Sequence, residues 1–429
     1  MRLLRLLVIR FSLLITGLII VSGTVIFAQK SELRQVEQSK ELYFTNTRQK
    51  SLELPFKLVN NLIVIPIQIN GSDTLRFILD TGLNTSIICE LSTGKTLNLN
   101  YAREIQLQGL GIGEPITAIH TFGNDISVSG IYGINQDYFV LMDNVFHLSN
   151  KLGTPIHGIL SFSVFNAFIV EIDYDNEKLV FYDPAFYQYK KNSRNYTTMP
   201  MVIHETKPYI YMKIQLPDGR IVPLKVLLDT GASNSLWVDL SSLSGYSMPE
   251  DARESFLGSG LSGDVFGHVV RFEKVFIDQH ELKDVIVSLP DSGSIENAIG
   301  LDQRNGSIGS ELLRRFNVVI DYPNELITFI KNSNYSDQFS YNMTGIELTS
   351  PYPGLNYYTV SQILEDSPAE KAGLQAGDEI ISINNTKVTE LTMNEIYKKF
   401  QIRDGKKIKM VINRNGQREK IEFRLERFI

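Results

Sequence analysis

Leu75-Arg76-Phe77-Ile78-Leu79-Asp80-Thr81-Gly82 and Leu224-Lys225-Val226-Leu227-Leu228-Asp229-Thr230-Gly231 are the two stretches from which the rest of the chain is read. In each, five mostly apolar residues predict a buried strand, and an Asp-Thr-Gly tripeptide ends it. A carboxylate at the end of a buried strand is costly to ionise. Two become tolerable when they face each other, share one proton and hold a water between them, which is the arrangement an acid-base hydrolase needs.

The tripeptide is one landmark of a longer internal repeat. Asp80 precedes Asp229 by 149 residues, and Gly109-Leu110-Gly111 precedes Gly258-Ser259-Gly260 by the same 149. Gly158 and Ile172-Asp173-Tyr174 precede Gly306 and Ile320-Asp321-Tyr322 by 148. Landmarks in one order at one spacing predict two similar lobes, residues 53–185 and 186–332. Each is written in short segments of Ile, Val, Phe and Tyr broken by turn residues such as Asn70-Gly71, Asp175-Asn176 and Pro217-Asp218-Gly219, the pattern of an all-β unit.

A chain of 429 residues with this composition has room for two or three domains with ample core. Residues 1–28 carry Arg2, Arg5 and Arg10 without an acid, then an apolar run from Phe11 to Phe27 and Ala28 before the polar Gln29-Lys30. This predicts a signal peptide cut after Ala28. The run is also near the lower length of a membrane span, so the alternative is an uncleaved membrane anchor. Removing these residues takes away three positive charges and moves the formal net charge from −6 to −9, and no basic footprint for nucleic acid is visible. Residues 29–52 read as a polar leader, a segment that would cover the cleft if the protein were made as a precursor. The single cysteine, Cys89, has no partner for an internal disulfide and reads as a core residue, which suits a bacterial envelope.

Two Asp-Thr-Gly copies in two β lobes resemble a bilobal aspartic peptidase, with each lobe closer to the retroviral type. The resemblance covers about residues 55–332. It implies Asp80 and Asp229 as the catalytic pair, with Thr81, Gly82, Thr230, Gly231 and Ser233 supporting the two active-site loops. It also makes the glycine-rich segments around Gly109 and Gly111, and around Gly258 and Gly260, flaps that close over an extended peptide. The chain departs from the pepsin pattern directly after each glycine: Leu83 and Ala232 stand where a hydroxyl residue usually bonds the carboxylate. Fewer bonds to the charged form raise a carboxyl pKa, which predicts activity at milder acidity, and bulky Leu83 opens the alternative of a distorted, inactive site.

Other chemistries find little support. The six histidines show no metal-ligand spacing, and neither a His-Glu-x-x-His helix nor a Gly-x-Ser-x-Gly elbow occurs, so no metal or organic cofactor is implied.

After Lys331-Asn332 the composition turns to that of a linker, residues 333–340, and residues 341–429 form a further unit. Ser367-Pro368-Ala369-Glu370-Lys371-Ala372-Gly373 predicts a short capped helix stopped by glycine. Thr392-Met393-Asn394-Glu395 predicts a capping box that opens a helix to Phe400, and Asn415-Gly416 a closing hairpin. This region resembles a PDZ domain of the bacterial kind. The resemblance implies a peptide groove made by Gly354, Leu355, Tyr357, Tyr358, Met393 and Tyr397, with the edge strand at Tyr357–Ile363.

Together these readings predict a mainly β protein with two pseudo-symmetric acid-protease-type barrels and a small α+β PDZ domain. The function they imply is that of an aspartic endopeptidase exported to the periplasm or cell envelope, or secreted, with its PDZ domain binding polypeptide substrates or protein C-termini. The alternative is a catalytically inactive scaffold that binds peptides through the same cleft and groove.

Overall fold

Asp80 and Asp229 each end a strand that is threaded into a ring of six strands. In lobe 1 of the computed structural model the ring runs Leu62–Ile69, Leu75–Leu79, Gly158–Leu160, Ser86–Ile88, Ile131–Leu141, Ile116–Val128 and back to the first. In lobe 2 it runs Lys207–Gln215, Ile221–Leu228, Gly306–Ile308, Leu236–Val238, His280–Pro290, Gly263–Ile277 and back. The sequence of parallel and antiparallel pairings is the same in both, so the internal repeat is a repeat of topology. Closing each ring leaves open edges only on the strands attached outside it, such as Ala102–Leu107 and Arg253–Gly260. The structure describes residues 41–427 apart from 91–96, 101, 112, 250–251, 294 and 296–302. The signal-peptide expectation and residues 29–40 therefore lie outside the described residues.

The repeated Gly158 and Gly306 mark the tightest point of each ring. A Cβ on Gly158 would lie 2.3 Å from the Ile87 carbonyl oxygen, and one on Gly306 would lie 1.9 Å from that of Trp237. Only glycine fits between the strands there. The repeated Ile-Asp-Tyr segments have a different task, because they meet across the lobes. Ile169–Asp173 and Phe316–Asp321 pair antiparallel at the centre of a six-stranded sheet, with Val170 opposite Ile320 and Ile172 opposite Val318. Lys178–Tyr182 and Ser51–Pro55 continue it on one side, Leu326–Lys331 and Tyr196–Pro200 on the other. Asp173 and Asp321 are buried, and each accepts hydrogen bonds from the backbone and side chain of the asparagine three residues on, which fixes the hairpin that follows. One hydrophobic core runs unbroken through both lobes.

Two expectations need correction. The end of the polar leader is built into sheets: Glu41–Phe44 pairs with Ile131–Ile134, Phe44 packs on Phe168 with ring centroids 4.6 Å apart, and Ser51 and Leu52 pair with Tyr182 and Phe181. A four-residue strand is too short to show its period among polar neighbours. Residues 333–340 have linker composition but are tied down. The Ser333 hydroxyl donates to Asp175 Oδ1 at 2.6 Å, the Tyr335 hydroxyl to the Glu281 carbonyl at 2.7 Å, and Phe339 is buried beneath the guanidinium of Arg315. Cys89 is buried as expected, and burial pushes its thiol up to about 12.

The third unit has the strand order Ile346–Thr349, Thr359–Ile363, Glu379–Ile383, Lys407–Arg414, Gln417–Arg424. Its helix Pro368–Lys371 is capped by Ser367, its helix Met393–Phe400 opens on the Thr392–Glu395 capping box, and Asn415-Gly416 turns the last hairpin. The predicted edge strand is corrected here. Thr359–Ile363 lies between two neighbours, and the edge is Ile346–Thr349, a four-residue alternation that the sequence reading passed over. Tyr397 faces that edge, its hydroxyl accepting from Leu348 N–H and donating to Glu347 Oε2, both at 3.0 Å. Gly354 instead lies against lobe 1, Leu355 is exposed, Tyr357 packs on Tyr352, and Tyr358 belongs to the domain core.

This unit docks on lobe 1 through the short helix Leu148–Leu152 and the hairpin before Leu62. Ser350 N–H donates to the Asn150 carbonyl, Asn150 Nδ2 to the Ser350 carbonyl, and Gly354 N–H to the Gly153 carbonyl, at 2.8–3.0 Å. Asn394 Oδ1 accepts from Asn60 N–H and its Nδ2 donates to the Leu58 carbonyl, at 2.9 and 3.0 Å. Asn394→Ala removes both bonds and weakens docking by about 1–2 kcal/mol. Hydrogen exchange should accelerate in Lys57–Val59, and unchanged exchange there would contradict this role for Asn394.

Candidate active site

The parallel partner strand sets the backbone of each aspartate. Asp80 N–H donates to the Leu160 carbonyl at 2.9 Å and Asp229 N–H to that of Ile308 at 3.0 Å. The two loops then cross. Thr81 Oγ1 donates to the Leu228 carbonyl at 2.5 Å and accepts from Thr230 N–H at 3.1 Å. Thr230 Oγ1 donates to the Leu79 carbonyl at 2.9 Å and accepts from Thr81 N–H at 3.1 Å. Both threonines are fully buried, and each hydroxyl serves as donor and acceptor at once.

Above this crossing the carboxyls hydrogen-bond each other. A Cβ on Gly231 would stand 2.3 Å from Asp80 Cγ, so the carboxyl of one loop rests on the glycine of the other. Gly82 N–H donates to Asp80 Oδ1 at 2.6 Å and Gly231 N–H to Asp229 Oδ1 at 3.0 Å. Burial, reinforced by the charge of Asp229, holds Asp80 well above the usual carboxylate range. Burial also raises Asp229, opposed by the Arg304 guanidinium and the backbone N–H groups of Gly231 and Ala232. Both carboxyls are thus raised, Asp80 the more strongly, and their titration belongs to the pair.

The residues after the glycines act differently from a hydroxyl pair. Leu83 packs beside Ile87, Cys89 and Phe146 at the cleft wall, and the threonine crossing is intact beneath it. At the second loop the Ala232 N–H donates to the Asp229 backbone carbonyl at 3.4 Å, close enough to the carboxylate to favour its charged form. Among the described residues, Ser233 is held through its carbonyl, which accepts from Asn61 Nδ2 at 3.1 Å, while Ser310 Oγ braces the loop by donating to the Thr230 carbonyl at 3.0 Å.

The glycine-rich segments meet across the cleft from the two carboxyls. Gly113 N–H donates to the Ser262 carbonyl at 2.6 Å, Ser262 N–H to the Leu110 carbonyl at 2.9 Å, and Gly109 N–H to Ser262 Oγ at 3.0 Å. Gly260 packs against Leu110 and Gly111 against the Ser262 carbonyl, while Gly258 marks a bulge in the second hairpin. They roof a cavity of about 620 Å³ whose floor is Asp80 and Asp229. Lys207, Asn234, Trp237 and Arg304 also line it, and the sequence reading assigned none of them a role. The repeat held one signal: at the offset of 148, Arg304 corresponds to apolar Ile156.

A site of this shape can hold an extended chain and a water between an acid and a base. Residues 65–164 match the family model described as aspartyl protease, and residues 359–414 match that of the PDZ domain. The chain carries an aspartyl protease domain and a PDZ domain. It is also similar to the carboxy-terminal processing protease CtpB of Bacillus subtilis, 41% identical over 61 residues, 14% of this chain and 13% of that protein. Probable periplasmic serine endoproteases, DegP-like, of two Pseudomonas putida strains are 38% identical over 63 residues, 15% of this chain and 13% of theirs. The chain thus spans about an eighth of the length of the curated relatives it matches. The first aspartate loop, Asp80-Thr81-Gly82, lies inside the aspartyl protease match, and the membership of that domain suggests a peptidase.

Two outcomes test the geometry. Thr230→Val strands the Leu79 carbonyl and Thr81 N–H in the core and should destabilise the protein by about 2–5 kcal/mol in urea unfolding, whereas Thr230→Ser should cost far less. The raised pKa of Asp80 means that its contribution to stability is full below the ordinary carboxylate range and is lost as pH rises through the folded value. Asp80→Asn should therefore raise Tm at pH 7, with the gain vanishing by about pH 4. Equal melting at pH 7 would argue against a strained carboxyl.

Proposed function

We propose that the chain is an exported aspartic endopeptidase in which Asp80 and Asp229 activate one water against a peptide bond. The observation that carries this reading is the mutually hydrogen-bonded carboxyl pair on crossed threonine loops, at the floor of a roofed cleft in an aspartyl protease domain. Ionised Asp229 takes a proton from the water as its oxygen attacks the amide carbon. Protonated Asp80 hydrogen-bonds the carbonyl oxygen and stabilises the charge that develops there. Collapse of the tetrahedral species passes a proton to the leaving nitrogen, and no covalent intermediate on the protein is needed. The flap contacts through Gly109, Gly113 and Ser262 must part to admit a chain.

In the same reading the PDZ domain positions the polypeptide substrate or receives a protein C-terminus by adding it to the Ile346–Thr349 edge. An incoming strand has to displace the Tyr397 hydroxyl from Leu348 N–H. The amphiphilic start of the chain, Arg2 to Ala28, supports export to the periplasm or envelope, or secretion.

The test is cleavage of an unfolded protein substrate between pH 3 and 8. Asp80→Asn and Asp229→Asn should each lower turnover by at least about a hundredfold. The raised Asp80 pKa keeps the pair singly protonated above the ordinary carboxylate range, so the alkaline limb of the rate profile should lie above about pH 4. A protein that binds peptides but cuts none would favour the scaffold reading instead.

A further inference from the structure

The two walls of the cleft differ in kind although the lobes share one topology. Lobe 1 contributes the apolar Leu62, Ile78, Leu83, Phe146, Leu148 and Ile159, with neutral Asn84 and Gln108 and no cation among the described residues. Lobe 2 contributes Lys207, Asn234, Trp237 and Arg304. Among the described lining residues the acids are Asp80 and Asp229, one from each lobe, and the cations are Lys207 and Arg304, both from lobe 2. A wall that holds both lining cations, facing a mostly apolar wall that holds none, is a recognition surface.

Three lobe 2 side chains carry buried polar atoms that have no hydrogen-bond partner among the described residues: Arg304 Nη1, Trp237 Nε1, and Nδ2 and Oδ1 of Asn234. Unpartnered buried donors are uncommon, because each forfeits its bonds to water. The chain that presents Arg304 is firmly placed. Its neighbour Asn305 donates N–H to the Lys225 carbonyl, accepts from Lys225 N–H and Asp239 N–H, and donates Nδ2 to Ser242 Oγ, all at 2.7–3.0 Å. At the repeat offset of 148, lobe 1 has Ile156, which is buried in an apolar cluster. The cation is thus a feature of one lobe, held at the rigid start of a barrel strand.

We infer that the lobe 2 wall is a subsite for a carboxylate, the side chain of an aspartate or glutamate in the polypeptide substrate, with Arg304 as its specificity-determining residue, while the lobe 1 wall takes a bulky apolar side chain. The inference rests on the peptidase reading and adds the class of sequence cut. A guanidinium pairs a carboxylate through two parallel N–H bonds, which a neutral amide does not reproduce. Arg304 also acts on Asp229, and that effect alone would alter the pH profile without altering which peptide is chosen.

A peptide mixture from an unstructured protein, incubated with the purified protein, should give cut sites enriched in Asp or Glu at one position and in large apolar residues at another. For peptides that differ by Glu or Gln at the acidic position, kcat/KM should favour Glu by at least about tenfold. Arg304→Gln should erase that preference, Arg304→Lys should keep part of it, and Arg304→Glu should favour a Lys peptide instead. A second arm does not depend on turnover. Asp80→Asn protein should bind the Glu peptide at least about tenfold more tightly than the Gln peptide in calorimetry, and Asp80→Asn with Arg304→Gln should bind both alike. Cleavage without acidic preference overturns the subsite and leaves the peptidase reading standing. Absence of cleavage by the unaltered protein overturns the peptidase reading, and the binding arm then decides the subsite: equal affinity, or no binding, overturns it.

Discussion

Two threonine hydroxyls, each donating to a carbonyl of the opposite lobe and accepting an amide from it, hold the centre of this molecule. The constraint they satisfy is severe, since two barrel strands end in buried carboxyls whose charges repel. Each loop supplies what the other lacks, and neither arrangement is complete in one lobe alone. The shared six-stranded sheet beneath does the same on a larger scale, joining the last strands of both lobes into one layer. Its role is to keep the two rings in the register that the threonines require.

On this symmetric frame the functional features are asymmetric. Arg304 and the backbone amides of Gly231 and Ala232 favour charge on Asp229, while burial and the charge of its partner raise Asp80. Identical tripeptides thereby acquire different proton affinities from neighbours that are not repeated. The same inequality shapes the cleft, where both lining cations, Lys207 and Arg304, come from lobe 2. A covalent repeat permits this, because each half of a single chain can diverge where a dimer of identical subunits has equal halves.

The helix Leu148–Leu152 connects three parts of the molecule within five residues. Leu148 lines the cleft, Lys151 Nζ donates to Ser259 Oγ of the second glycine-rich hairpin at 2.6 Å, and Asn150 bonds Ser350 beyond the PDZ edge strand. The PDZ domain is therefore fastened to the wall of the cleft as well as tethered by the chain. Its own core is separate, so the contact is local, a few hydrogen bonds with Gly153 set against Tyr358 and Met393 and Pro155 against Gly354.

Much of this was legible in the residues because the repeat states it twice. Two apolar runs ending in Asp-Thr-Gly, two glycines with no room for a side chain, and two Ile-Asp-Tyr strands determined a bilobal β architecture, and the capped helices and Asn415-Gly416 turn determined the PDZ fold. These are local signals, set by propensity, capping and period. The tertiary structure alone decided which strands pair across the lobes, that Glu41–Phe44 and Phe339 are structural, and that Ile346–Thr349 is the PDZ edge. It also decided that Arg304, Trp237 and Asn234 line the same cleft as Asp80 and Asp229. Those facts depend on contacts between residues far apart in sequence, and a lone arginine before a short strand carries no periodic mark of where its charge will be placed.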